Sequence, residues 1–130
     1  MTDDNKISLF ILEFIKKTKK KSIEWSESKY SPTLPDGNER LVDLSYSSVI
    51  NEKVFRLYKY NIKTYRDEFD WDWSERIRLE LTDGYGNTTF EFPYEYSLHD
   101  LYNSVRENNS GINDFINDFL CNDCFIVLYA

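Results

Sequence analysis

Glu75-Arg76-Ile77-Arg78-Leu79-Glu80-Leu81-Thr82-Asp83, followed by Gly84-Tyr85-Gly86-Asn87, decides the fold. Apolar residues fall on every second position, the period of a strand with one face against a core. Ile77, Leu79 and Leu81 are therefore predicted inward, and Arg76, Arg78 and Glu80 outward. Asp83 to Asn87, with two glycines, is the turn of a hairpin. The return strand carries Phe90, Phe92, Tyr94 and Tyr96 on one face and Thr89, Glu91 and Glu95 on the other.

Upstream, the same period continues. Lys53 to Tyr65 is rich in Val, Phe, Tyr and Ile, with Val54, Tyr58, Tyr60 and Ile62 on one parity and Phe55 and Leu57 on the other. That mixture predicts a bulge or a change of covered face near Arg56. Val42, Leu44 and Tyr46 alternate with Leu41, Asp43 and Ser45, and the polar stretch through Asn51 and Glu52 turns the chain. Ser22 to Ser26, with Ile23 and Trp25 on one side, reads as a short strand, and Ser31 to Asn38, with two prolines and a glycine, as a loop. The expected sheet is an antiparallel meander of four or five strands with one wet face.

Helical periodicity brackets the sheet. Ile7, Phe10, Ile11, Phe14 and Ile15 lie three and four apart, which predicts a helix from about Lys6 to Lys20. After the sheet, Ser97-Leu98-His99-Asp100 reads as a capping arrangement opening a helix whose stripe is Leu98, Leu101, Tyr102 and Val105. Glu107 to Gly111 stops it, and Ile112, Phe115, Ile116, Phe119 and Leu120 mark another, with Asn113, Asp114, Asn117 and Asp118 opposite. The predicted class is α+β: the meander packed by an N-terminal helix and two C-terminal helices.

At 130 residues the chain has room for one domain, 1–130, and for a core that needs no staples. Its 41% apolar and 17% aromatic content is that of a folded domain. Charge is unevenly placed. Residues 1–21 hold six Lys against Asp3, Asp4 and Glu13, leaving 10 basic and 20 acidic residues in the remainder. An acidic body repels a phosphate backbone, so general nucleic-acid binding is not expected. The lysine run reads as a solvated helix end that complements the helix dipole, and only that run could touch a polyanion.

The longest apolar run, Cys124 to Ala130, falls far short of the ~18 residues of a membrane span, so no membrane partner is expected. The acidic, polar opening Thr2-Asp3-Asp4-Asn5 lacks the basic region of a signal peptide, and Cys121 and Cys124 fit a reducing compartment as free thiols or a weak redox pair. The expected location is the cytoplasm. The tail Phe125 to Tyr129 is open to three roles: a sheet-edge strand, a continuation of the last helix, or a link between subunits.

The layout resembles a group of small, mostly uncharacterised bacterial single-domain proteins. The shared landmarks are the N-terminal amphipathic helix, a Thr-Lys-x-x-x-Ile-x-Trp segment (Thr18 to Trp25), a meander with an Asp-Gly hairpin and a Leu-x-x-Leu-Tyr helix (Leu98 to Tyr102). An acidic amphipathic segment like Ile112 to Leu120 completes the set. These are core and capping residues, so the resemblance implies a fold and carries no activity.

Among possible chemical sites, Cys121-Asn122-Asp123-Cys124 has CxxC spacing but follows a helix, whereas a redox pair opens one. Zinc would need two more ligands than these cysteines supply. His99 is the sole imidazole and has no recognisable nucleophile beside it. Gly84-Tyr85-Gly86 lacks the spacing of a phosphate loop. Neither a catalytic residue nor a cofactor is assigned.

One segment stands out: Asp67-Glu68-Phe69-Asp70-Trp71-Asp72-Trp73-Ser74-Glu75, five acids interleaved with three large aromatics. If extended, it sets Asp70 and Asp72 on one face and Phe69, Trp71 and Trp73 on the other. Either its aromatics tuck into the core, or Asp67, Glu68, Asp70, Trp71, Asp72, Trp73 and Glu75 dock onto a basic protein surface. The first functional expectation is therefore a non-enzymatic binding protein of immunity, inhibitor or anti-defence type that occludes a basic partner. The second is a small-molecule binder, with Arg56, Tyr58, Tyr60, Arg76 and Arg78 stacking on a base and pairing with phosphate, as for a nucleotide. A metal-assisted hydrolase using Asp70, Asp72 and His99 is the third, although two carboxylates alone are too few ligands.

Overall fold

The computed structural model describes the backbone of residues 4–34 and 37–129 and the side chains up to Cys121. Its elements are α1 (Asp4–Lys19), β1 (Ser26–Glu27), β2 (Glu39–Ile50), β3 (Lys53–Tyr65), β4 (Trp71–Thr82), β5 (Thr88–Glu91), α2 (Ser97–Ser110) and α3 (Ile112–Tyr129). The five strands form one antiparallel sheet in the order β1-β2-β3-β4-β5, so each strand pairs with its neighbour in sequence. The α+β meander with one helix before it and two after it is thus observed.

Helix α1 lays Ile7, Ile11, Phe14 and Ile15 on the sheet beside Leu98, Leu101, Tyr102 and Val105 of α2, and both meet Tyr46, Phe55, Leu57, Ile77 and Leu79. The helical periods found the residues of α1 and α2 and the β4 alternation found Ile77 and Leu79, whereas the mixed parities of β3 left the side of Phe55 and Leu57 open. Phe10 stays partly open but stacks on Phe92, ring centroids 5.5 Å apart. Lys21, at φ 62°, turns the chain out of α1, and Ser22 N–H donates to Lys17 C=O at 2.9 Å, so orphan carbonyls of the last turn are satisfied.

Several expectations need correction. The first strand is Ser26–Glu27, not Ser22–Ser26. Trp25 is buried from an irregular segment, where its Nε1–H donates to Thr18 Oγ1 at 3.2 Å and its ring packs on Phe14. No bulge occurs near Arg56: the β3–β4 ladder runs unbroken from Val54↔Thr82 to Tyr65↔Trp71, β3 is covered on both faces from Phe55 to Tyr58, and the irregularity lies in β2, between Val42 and Tyr46, with Asp43 at φ 65°. The return strand ends at Glu91, with one further bond from Phe92 N–H to Leu79 C=O, because Pro93 has no N–H to offer. Tyr94 and Tyr96 are consequently exposed outside the sheet. Ser97 does not cap α2: Tyr96 occupies the cap position, and Ser97 Oγ–H donates to Glu95 Oε2 at 3.0 Å.

The second face of the sheet is not wet at its centre. Arg56 is 2% and Glu80 3% exposed, and Tyr58 and Tyr60 are buried beside them. The chain after β1 and the β4–β5 turn come together over this face at Tyr30 and Gly86, where a Cβ added to Gly86 would sit 2.6 Å from the Tyr30 Cβ. Arg56 ties them together, its Nη1 donating to Gly86 C=O at 3.0 Å and to Tyr30 C=O at 3.4 Å. Among the described residues no helix is long and apolar enough to cross a membrane.

Candidate functional site: the end of the β3–β4 hairpin

The acidic-aromatic segment occupies the far end of the long β3–β4 hairpin. Residues 66–70 form its connection, closed by Arg66 N–H to Asp70 C=O at 2.7 Å, and Asp67 Oδ1 accepts the Phe69 N–H at 2.8 Å in an Asx turn. This geometry throws the Phe69 side chain outward; it is 89% exposed. Glu68 and Asp67 flank it.

Arg66, outside the segment singled out in the sequence, organises the carboxylates. Its Nε and Nη2 grip both oxygens of Asp70 at 2.8 and 2.6 Å, and its Nη1 donates to Asp72. The fork geometry suits a planar guanidinium. The hydrogen bond from Arg66 holds the Asp70 carboxyl below its ordinary range, and the two carboxylates in turn raise the guanidinium pKa. Five acids against one base still leave residues 66–75 strongly negative.

Trp71 and Trp73 share a parity with Ile77 and Leu79, so they face the helix side of the sheet near the end of the hairpin. They meet edge to face, centroids 5.3 Å apart. Cations of neighbouring strands cover them: Lys63 Nζ lies 4.5 Å from the Trp71 centroid, and Arg40 Cζ 4.2 Å from that of Trp73. Glu75, at the inner edge, pairs with Lys59 at 3.2 Å. The segment therefore divides into an open acidic tip around Phe69 and a tryptophan shelf already capped by the protein's own cations. Sequence reasoning missed Arg66, Lys63 and Arg40. The Arg66–Asp70 spacing of four was a usable signal, whereas the other two contacts depend on strand register.

The five residues of the second expectation, Arg56, Tyr58, Tyr60, Arg76 and Arg78, do lie together on the opposite face. The guanidinium donors of Arg56 and Arg78 are engaged within the chain. Arg56 Nε donates to Glu80 Oε1 at 2.7 Å and Nη2 to Thr88 Oγ1 at 3.2 Å. Arg78 pairs with Glu39 at 3.0 Å and Glu91 at 2.9 Å, donates to Tyr58 O–H, and stacks 4.1 Å over Tyr60. Burial raises the pKa of both tyrosines. Arg76 lies over Tyr94 at 5.1 Å.

His99 meets the Tyr94 hydroxyl at 2.8 Å, and burial lowers its pKa. Asp70 and Asp72 converge on a guanidinium, and among the described residues no three His, Cys, Asp or Glu side chains group as a metal site requires. Cys121 is exposed; the Cys124 side chain lies outside the described ones, and with it the pairing of the two cysteines. A feature the sequence did not announce is an open cleft of roughly 680 Å³ between the β2 irregularity and α2, lined by Asp43, Tyr46, Asn103 and Arg106.

No protein-family model, no curated protein and no solved structure matches this chain. Functional assignment rests on the residues themselves.

Proposed function

We propose that the protein is a non-enzymatic binding protein of inhibitor type, which presents the β3–β4 hairpin end to a basic protein partner. The observation that carries this reading is Phe69, an aromatic ring 89% exposed at the tip of a hydrogen-bonded hairpin connection and set among carboxylates. Aromatic anchors supply most of the energy of an interface, and surrounding acids steer a cationic surface toward it. Asp67 and Glu68 belong to the open tip. Asp70 and Asp72, oriented by Arg66, shape it, and exchange of Arg66 for an arginine of the partner would carry these two carboxylates into the interface. Trp71 and Trp73 back the hairpin, with Glu75 at its inner edge.

The test is retention of partners by immobilised protein at low and high salt, with the Phe69→Ala/Asp67→Asn/Glu68→Gln variant as control and mass spectrometry of what is held. The reading expects one basic protein, held at low salt, released at high salt because exposed charges are screened, and absent from the variant. Retention unchanged by the triple substitution, or by neutralising Asp67, Asp70 and Asp72, refutes it. No retained protein together with a small molecule in native mass spectra points to ligand sequestration instead.

A further inference from the structure

Among the described residues, none covers the apolar face of helix α3. Ile112, Phe115, Ile116, Phe119 and Leu120 recur three and four apart, and all five stand exposed along one stripe, Phe115 at 63% and Phe119 at 58%. The two phenyl rings stack at 6.1 Å, so the stripe presents a continuous apolar ridge. Amphipathic helices owe most of their stability to packing of the apolar face. Within the chain α3 packs chiefly on the end of α2. Gly111, at φ 71°, turns the backbone between the two helices, and Lys21 Nζ meets Asp114 Oδ1 at 3.2 Å, pinning the first turn of α3 to the end of α1. The stripe is thus held at a set angle with its apolar side uncovered.

We propose that this stripe is a homodimer interface in which α3 packs antiparallel against α3 of a second copy. Three observations favour a second copy. First, the stripe carries no charge, while the only charged residues of 112–121, Asp114 and Asp118, lie on the other side of the helix. A two-fold pair then buries ridge against ridge and leaves the acids of both copies in water. Antiparallel pairing also opposes the two helix dipoles.

Second, with about half of each side chain open and a large side chain exposing roughly 200 Å² in full, the stripe offers roughly 500 Å² per copy. With the whole stripe covered, two copies together bury about 1,000 Å², the lower limit for a specific interface. Third, no lysine or arginine occurs anywhere in 112–129, whereas a helix that lies on an anionic membrane carries basic residues along its polar face. Charge therefore favours a copy of the same helix over an anionic lipid surface. This interface is separate from the hairpin end and stands whether or not the hairpin binds a partner.

Sedimentation velocity of the full chain, from about 1 to 200 μM, decides the matter with Phe115→Asp/Phe119→Asp as the control. The expected result is a monomer–dimer equilibrium that saturates at two copies, strengthens with added salt as the net charge of −7 on each copy is screened, and vanishes in the double variant. Because both phenylalanines are exposed within the single chain, the variant should match the circular dichroism and melting temperature of the wild type at about 1 μM, where pairing is weakest, which separates loss of pairing from loss of folding. Antiparallel pairing is checked by mixing Ile112→Cys and Leu120→Cys copies in a Cys121→Ser/Cys124→Ser background, which should link 112 of one copy to 120 of the other under mild oxidation, whereas parallel pairing would link each position to its own equivalent.

A monomer at every concentration overturns the proposal, as does a dimer untouched by the double substitution. Growth beyond two copies overturns it too, because a closed two-fold contact cannot propagate. A monomer that co-sediments with phosphatidylcholine vesicles through α3 hands the stripe to a membrane surface. The salt response is opposite in sign to that expected of the hairpin's basic partner, so the two ideas fail independently.

Discussion

Replacing Arg56 by methionine keeps the aliphatic stem and removes the guanidinium from the covered face of the sheet. In the wild type that guanidinium gives Nε and Nη2 to Glu80, Nη2 to Thr88 and Nη1 to the carbonyls of Gly86 and Tyr30. The substitution leaves the Glu80 carboxylate, 3% exposed, with a single donor in Thr88 Oγ1 at 2.8 Å, and takes the Arg56 donor from both carbonyls. Breaking one side of a buried pair costs about 3–5 kcal/mol. Each carbonyl left without a partner adds about 1 kcal/mol. The sum, about 5–7 kcal/mol, corresponds to a fall in Tm of roughly 20–30 °C for a chain of this length.

Urea unfolding followed by tryptophan fluorescence, with melting followed by circular dichroism, measures both quantities. The double variant Arg56→Met/Glu80→Leu removes the stranded charge along with its partner. It should regain about 2 kcal/mol or more relative to the sum of the single losses. As a contrast, Arg66→Met breaks an exposed pair and should leave the unfolding midpoint where it was. An Arg56→Met loss under about 1 kcal/mol, or a double variant as weak as the sum of the singles, would show that water reaches this face and refute the reasoning.

Other substitutions report on other parts of the molecule. Asn51 and Glu52 both have positive φ, the backbone of a two-residue I′ turn, so Glu52→Gly should stabilise by about 0.5–1 kcal/mol in a thermal melt. Gly84 and Gly86 both have positive φ, but only Gly86 faces Tyr30; Gly84→Ala should cost about 1 kcal/mol and Gly86→Ala at least about 2, read from paired urea curves. Tyr102 is buried with no hydrogen-bond partner for its hydroxyl among the described residues, so Tyr102→Phe should be neutral or stabilising by about 1 kcal/mol. Burial also pushes the Tyr102 pKa up to about 12 from about 10, so the folded state holds this proton more tightly. Stability from that source is complete below pH 10 and lost as pH rises toward 12, and Tyr102→Phe should flatten the alkaline limb of a Tm–pH profile.

Much of this architecture was legible because burial follows period. The stripes of α1 and α2 and the alternation of Ile77, Leu79 and Leu81 each place apolar residues where only one local geometry sends them to a common side. What escaped depended on information that hydropathy does not carry. Asp43 adopts a left-handed backbone that a polar residue does not advertise, so the irregularity in β2 was displaced to Arg56. Arg56 and Glu80 read as solvent-facing, since nothing in their spacing reveals that the Tyr30 segment and Gly86 close over them. The hairpin end was found from its density of acids and aromatics, but Arg66, Lys63 and Arg40 act across turns and strands, and they decide which of those acids and rings remain open. Trp25 shows the same limit: two apolar anchors in an irregular segment look like a strand.

The unbroken ladder between Val54↔Thr82 and Tyr65↔Trp71 also bears on the order in which the chain assembles. Its strands are joined by five residues, so pairing can begin from the turn and zip outward with little loop-closure entropy at each step. Strands β2 and β5 then add to either side as sequence neighbours. The exception is α1, whose packing on α2 joins segments about ninety residues apart, as in the bond from Asn108 Nδ2 to Thr18 C=O at 2.7 Å. Contact order is therefore highest in that docking step, followed by the closure of Tyr30 against Gly86, and the residues that set the folding rate need not be those that set the stability.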